Sequence, residues 1–226
     1  MNEAIKAAAA SFRPGGWEPP PGLRAVVFDV VGTLVEPSPS VPQAYAAAAA
    51  RQGLERDPGE IRERFSAAWR RQEAIDAAAS PPFATSRGRE AARWRAIVAE
   101  VFDQQPETDA IFADLWDHFG RVEAWRPLPF GSGLMRAALD RGLTVALASN
   151  FDERLHAIAG LIEPLSWADQ VFASSEIGWR KPAAEFFRTV EQRLGCEPAE
   201  ILLVGDDPDL DIAAGRHAGW HVLGVA

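Results

Sequence analysis

The chain has 226 residues, of which 23 are basic and 32 acidic, giving a formal charge of −9 at neutral pH. This length allows one large domain or a core with a modest insertion, and 47% hydrophobic with 24% charged residues excludes global disorder. The acidic balance argues against a nucleic-acid binder, which would carry a concentrated basic face, and an anionic substrate would need a cation beside it.

Residues 1–22 read as a frayed helix around Ala7–Ala10, then a flexible tail holding Pro14, Pro19, Pro20 and Pro21. This does not read as a signal peptide, and no apolar stretch reaches the roughly 18 residues of a membrane helix. The lone Cys196 has no disulfide partner, so a reducing cytoplasmic setting is expected, with no membrane association. The run Ala25-Val26-Val27-Phe28 ends in Asp29 and predicts a strand buried on both faces.

Between about 40 and 125 there is no strand pattern, but there are helical patterns near 42–53, 58–79, 87–104 and 108–120. Pro37-Ser38-Pro39 and Pro127-Leu128-Pro129 flank this stretch and read as hinges. Further strands are predicted at Leu143–Ala148, Gln170–Ala173, Ile201–Val204 and His221–Val225. Helices should run from an N-cap at Ser132 to Gly142, and over Asp152–Leu161, Pro182–Leu194 and Pro208–Ala218. Such alternation implies a Rossmann-like, doubly wound parallel sheet. Residues 23–38 and 126–226 would form this α/β core, with an α-helical cap inserted over 39–125.

Ligands of open α/β sheets bind outside the carboxyl ends of the strands. There the sequence offers Asp29, Ser149-Asn150, Lys181 in Arg180-Lys181-Pro182, and Gly205-Asp206-Asp207 with Asp211. A carboxylate can attack phosphorus as a nucleophile. Asp29 and Asp206 could hold Mg²⁺, a hard cation that accompanies phosphate, while a hydroxyl and an ammonium bind the other phosphoryl oxygens. Taken singly, Ser149 reads as a helix cap, and Asp207 and Asp209 as a solvated helix N-terminus. Lys181 stands out because only it and Lys6 are lysines among 21 arginines, and ammonium and guanidinium are not interchangeable at a tight phosphate site.

These four segments, in order, resemble the motifs of the haloacid dehalogenase superfamily: Asp29-Val30-Val31-Gly32-Thr33, Ser149-Asn150, Lys181-Pro182 and Gly205-Asp206-Asp207 with Asp211. The resemblance covers 24–36 and 127–226. It implies a hydrolase acting on a small phosphorylated metabolite through an aspartyl-phosphate on Asp29. It also implies phosphoryl contacts from Ser149 and Lys181, with Thr33 and Asn150 beside them at the substrate. Mg²⁺ would be held by Asp29, the Val31 carbonyl and Asp206, with Asp211 direct, through water or behind the ligands. Phosphatases of the family carry a second Asp, an acid and base, where this chain has Val31, and losing such a group costs about 10²–10⁴-fold.

A metal-independent 2-haloacid dehalogenase, needing no leaving-group acid, is the alternative, although Asp206 and Asp207 match the metal-binding form. A catalytically weak phosphate-binding or partner-binding protein is another. A Schiff-base mechanism is disfavoured because the insertion has no lysine. In the insertion, Arg87, Arg89, Arg93 and Trp94 could face the substrate but read more readily as packing residues, the direction of Tyr45 is open, and His217 is a remote substitute for the missing acid.

Overall fold

The computed structural model describes residues 16–225; the tail expected at 1–22 lies, as far as residue 15, outside the described residues. In chain order come β1 (Ala25–Phe28), β2 (Val35–Pro37), α1 (Val41–Arg51), α2 (Pro58–Ala78), α3 (Arg87–Val101) and α4 (Thr108–His118). There follow β3 (Trp125–Pro127), α5 (Pro129–Leu139), β4 (Thr144–Ser149), α6 (Arg154–Ala159), β5 (Gln170–Ala173) and α7 (Ser174–Ile177). The chain continues through α8 (Ala184–Leu194), β6 (Ile201–Gly205), a π-helical turn (Pro208–Ala213), α9 (Ala214–His217) and β7 (His221–Gly224).

The main sheet has the order β5-β4-β1-β6-β7, with every neighbouring pair parallel. Because side chains alternate along a strand, Val26, Phe28, Val145, Leu147, Leu202 and Val204 pack on one face. Ala25, Val27, Ala146, Ala148, Ile201 and Leu203 pack on the other. Helices cover both faces, as the unbroken apolar runs require. β1 lies between β4 and β6, so Asp29 leaves the sheet at its centre.

Several boundaries differ from those the sequence suggests. Helix α5 starts at Pro129, not after Ser132, whose hydroxyl instead donates back to the Leu128 carbonyl at 3.0 Å. Proline suits the first helical position because its missing N–H has no intrahelical partner there. The helix expected from Pro182 begins at Ala184 and is preceded by the one-turn α7. The final helix opens as a π-turn capped by Asp207, which accepts from the Asp209 and Leu210 N–H groups; Asp207 is thus a helix cap.

Pro37 and Pro127 of the proline-rich joints lie in paired strands. β2 and β3 pair antiparallel, with Val35 opposite Pro127 and Pro37 opposite Trp125, in a short ribbon from which the helical insertion rises. The insertion has a separate hydrophobic cluster that includes Tyr45, Ile61, Ile97, Phe102 and Ile111. The Ala44–Ala50 tract lies within α1, and Ala44, Ala48 and Ala49 are buried there, since small side chains let helices approach closely.

A second connection ties the insertion to the core. The Thr85 N–H donates to the Gly178 carbonyl at 2.9 Å, and the Arg180 N–H donates to the Phe83 carbonyl at 3.0 Å. The Arg180 guanidinium, 1% exposed, then enters the insertion. It donates to both Glu90 oxygens at 2.9 and 3.0 Å and to Glu73 at 3.1 Å. Arg93, also buried, donates to Asp76 at 2.9 Å and to Glu73, while Arg89 donates to the other Asp76 oxygen. Three guanidiniums thus balance three carboxylates. Burial alone would lower the Arg180 pKa, but Glu90, Glu73 and Asp76 outweigh it and hold the group above the ordinary arginine value.

Breaking a buried ion pair by deleting one partner strands the other charge. Glu90→Ala is expected to lower the unfolding free energy by about 3–5 kcal/mol. Arg95→Ala, which breaks an ion pair with the exposed Asp109, should leave the transition almost unmoved. Urea denaturation of both variants measures the contrast, and equal shifts would rule out this network as the joint between core and insertion.

Candidate active site

Asp29 continues the β1 ladder, its N–H donating to the Val204 carbonyl at 2.9 Å, while its side chain emerges at the rim. Ser149, the last residue of β4, donates from Oγ to Asp29 Oδ1 at 3.0 Å. Its hydroxyl faces the carboxylate, not a helix terminus. Lys181 reaches the same atom from the loop after α7, its Nζ lying 2.7 Å from Asp29 Oδ1 and 2.5 Å from Asp211 Oδ1. Asp206 follows β6, and Asp211 sits inside the π-turn with Oδ2 accepting the Asp207 N–H at 3.1 Å. Carboxylate oxygens of Asp29, Asp206 and Asp211 all lie within 4.8 Å of one another.

Two glycines make this approach possible. Gly32, at φ +90°, leaves room that a Cβ would fill only 2.4 Å from Asp206 Oδ2. A Cβ on Gly205 would lie 2.4 Å from Asp211 Cγ. Both are contacts that real Cβ atoms do not make, so glycine at the end of β6 and after Val31 is a condition of the acidic cluster.

Other residues at the rim serve as supports. Thr33 is buried and absent from the cavity wall; its hydroxyl donates to Asp206 Oδ1 at 3.1 Å. It therefore orients a carboxylate from behind, where the sequence suggested a substrate contact. Asn150 lines the cavity, yet both ends of its amide are engaged with the Lys181 backbone: Nδ2 donates to the carbonyl at 3.0 Å and Oδ1 accepts the N–H at 2.7 Å. Val31 stands on the cavity wall. His217 is exposed and does not line the cavity.

The charge balance is uneven: three carboxylates face one ammonium. Burial raises the Asp29 pKa above the usual carboxylate range, with Asp211 and Asp206 adding to the effect and Lys181 opposing it. Asp206 is raised by partial burial and by Asp211. Burial works against the Lys181 charge, but Asp211 and Asp29 outweigh it and keep the ammonium protonated. A divalent cation among three hard oxygen donors would relieve this excess, so the residues present fit Mg²⁺.

Above the rim opens a cavity of about 410 Å³. Its walls beyond the charged floor include the rings of Tyr45, Phe65, Trp69, Trp94, Trp116 and Trp125, with aliphatic side chains such as Val41, Val98 and Leu115 between them. Trp94 and Tyr45 therefore serve both the packing of the insertion and the cavity, which helical periodicity could not separate. Arg87 instead pairs with Glu176 of the core, and Arg89 and Arg93 belong to the buried network. Sequence reasoning missed Arg154: its guanidinium makes two hydrogen bonds of 2.7 Å to Asp152 and lies 3.5 Å above the Trp116 ring. It also missed Arg180. The spacing of Asp152 and Arg154 was a readable local signal, whereas the partners of Arg180 lie some ninety residues away.

The model of the family described as haloacid dehalogenase-like hydrolase matches residues 23–219. Human haloacid dehalogenase-like hydrolase domain-containing protein 3 is 29% identical over 205 residues, covering 88% of this chain and 80% of the human protein. Among solved structures, an L-2-haloacid dehalogenase from Xanthobacter autotrophicus superposes with a TM-score of 0.64 at 23% identity, over 88% of this chain and 76% of that one. A predicted phosphoglycolate phosphatase from Haemophilus somnus gives 0.65 at 18% identity, over 90% and 85%. At these identities the structural likeness is one of fold.

Gly205→Ala should destabilise the protein by about 1–3 kcal/mol, the usual cost of overpacking, because Asp211 must move. Gly88→Ala, in α3 with open space around it, should stabilise by up to about 1 kcal/mol. Thermal unfolding of the two variants tests the pair, and a neutral Gly205→Ala would contradict the close approach.

Proposed function

The chain belongs to the haloacid dehalogenase-like hydrolases, and from that premise we propose that it is a Mg²⁺-dependent phosphoester hydrolase of a small phosphorylated metabolite. The observation that carries this reading is the surplus of carboxylate over ammonium at one corner of the sheet. Such a site repels a phosphate dianion unless a cation is present, and its oxygen donors suit Mg²⁺. Asp29, Asp206, Asp211 and the Val31 carbonyl would hold the Mg²⁺, which would supply positive charge beside the phosphoryl oxygens.

Asp29 acts as the nucleophile. Its Oδ1 accepts from both Ser149 and Lys181, which leaves Oδ2 for attack. A bond forms from this oxygen to phosphorus as the ester P–O bond breaks, its electron pair departing on the leaving oxygen. Lys181 and Ser149, already beside the nucleophile, bind the phosphoryl oxygens and stabilise their charge. Water then adds to phosphorus, and the bond to Asp29 breaks with its electrons returning to the carboxylate. One water proton ends on the released alcohol and the other on hydrogen phosphate. Asn150 holds the backbone of Lys181, and Thr33 holds Asp206. Val31 has no proton to give, so the leaving oxygen departs without help from that position.

A panel of phosphomonoesters and 2-haloacids, with Mg²⁺ and with EDTA, tests the reading. Phosphate release should require Mg²⁺ and vanish in Asp29→Asn. Val31→Asp should increase turnover, by up to the 10²–10⁴-fold that such a group is worth (about that order). Halide release that survives EDTA would make the protein a dehalogenase, a reading that Val31 and the apolar cavity favour. No turnover in the parent with partial rescue by Val31→Asp would leave a phosphate-binding protein.

A further inference from the structure

We propose that the substrate is an aryl phosphate: one phosphoryl group esterified to an aromatic hydroxyl, with the ring seated in the aromatic cavity above Asp29. This rests on the phosphoester hydrolase reading and deepens it by naming the class of leaving group. Two independent features converge on it, one steric and one chemical.

The steric feature is the cavity wall. From Tyr45 the rings continue through Phe65, Trp69 and Trp94, with successive centroids 5.5, 6.1 and 5.6 Å apart. Across the opening Trp125 lies 5.9 Å from Phe119 and 5.8 Å from Phe151. Such a surface binds an apolar, flat body through burial and ring contacts. It offers little to a second anionic group. The cations on the wall are Lys181 and Arg154. Lys181 is committed to the acidic floor, and Arg154 is held by Asp152, capped by the Trp116 carbonyl and stacked on the Trp116 ring. A substrate with a carboxylate or a second phosphate would thus find no free counter-charge among the described residues.

The chemical feature is Val31 at the cavity wall beside the nucleophile. An aliphatic hydroxyl, with a pKa near the roughly 16 of water, is a poor leaving group unless it is protonated as it departs. A phenolic oxygen, with a pKa of about 10, leaves as the aryloxide and takes its proton from water afterwards. The wall selects an aromatic body, and the missing acid makes an aryloxide the leaving group that needs it least. The step balances as in the proposed hydrolysis: aryl phosphate and water give a phenol and hydrogen phosphate.

Phenyl phosphate, cyclohexyl phosphate and glycerol phosphate separate the two features, because the first two match in size and differ in leaving-group acidity. With Mg²⁺ present, kcat/KM should favour phenyl over cyclohexyl phosphate by about 10²-fold or more, mostly in kcat, and glycerol phosphate should be the poorest. Val31→Asp should raise the cyclohexyl rate more than the phenyl rate, narrowing the gap. Trp94→Ala, with the milder Trp94→Phe beside it in case the larger change unfolds the insertion, should raise KM for both ring substrates by about tenfold, and by more than it raises KM for glycerol phosphate. Equal turnover of phenyl and cyclohexyl phosphate, or preferred turnover of glycerol phosphate, overturns the aryl assignment while the hydrolase reading stands. Absence of phosphate release from all three, in parent and Val31→Asp alike, overturns both.

Discussion

Three carboxylates and one ammonium share a corner of the sheet, and much of the surrounding structure serves to hold them there. Asp29, Asp206 and Asp211 repel one another; Asp29 and Asp211 are buried, and Asp206 is exposed at the rim. Left to itself such a group would separate or protonate. Here Asp29 is fixed by the ladder beyond β1, Asp206 by Thr33, and Asp211 by the Asp207 N–H in the π-turn. Lys181 bridges two of the three. The glycines at 32 and 205 remove the Cβ atoms that would force the carboxylates apart. The three carboxylates are thereby held close enough together that they could hold a metal ion.

The adjacent Arg180 and Lys181 are the point where core and insertion depend on each other. Lys181 enters the acidic floor of the core, and Arg180 enters the acidic cluster of the insertion. Successive residues of an extended segment point to opposite sides, so one short loop carries a cation to each. The choice of cation follows the geometry. Arg180 reaches two glutamates with a planar fork, while Lys181 places a compact charge between two single oxygens. The insertion is therefore joined to the core at the β2–β3 ribbon and again beside Lys181.

The same insertion decides what meets the charged floor. Its helices pack on a cluster of their own and turn several of the same rings toward the rim. The cavity thus has a charged floor contributed by the core and a largely aromatic wall contributed mainly by the insertion.

Much of the core was legible in the residues alone. The unbroken apolar runs predicted the parallel strands to within a residue or two, and the helical patterns of the insertion fall on α1 to α4. The polar residues after the strands identified Asp29, Ser149, Lys181, Asp206 and Asp211 as neighbours, because a parallel sheet brings all its strand ends to one edge. What stayed hidden involved partners far apart in the chain or elements too short for periodicity. The three-residue strands β2 and β3 carry no repeat to read. Nothing near Thr33 indicates that its hydroxyl bonds Asp206, nor anything near Arg180 that it is neutralised by Glu73 and Glu90. Trp94 has one helical position but two surfaces, and only packing against the core decides that its ring also lines the cavity. The sequence by itself determined the strands, the helices and the set of rim residues, since these follow from local periodicity and backbone preference. Tertiary structure alone decided which carboxylates crowd together, which cations neutralise them and which rings enclose the site, because those depend on distances set by the whole packed chain.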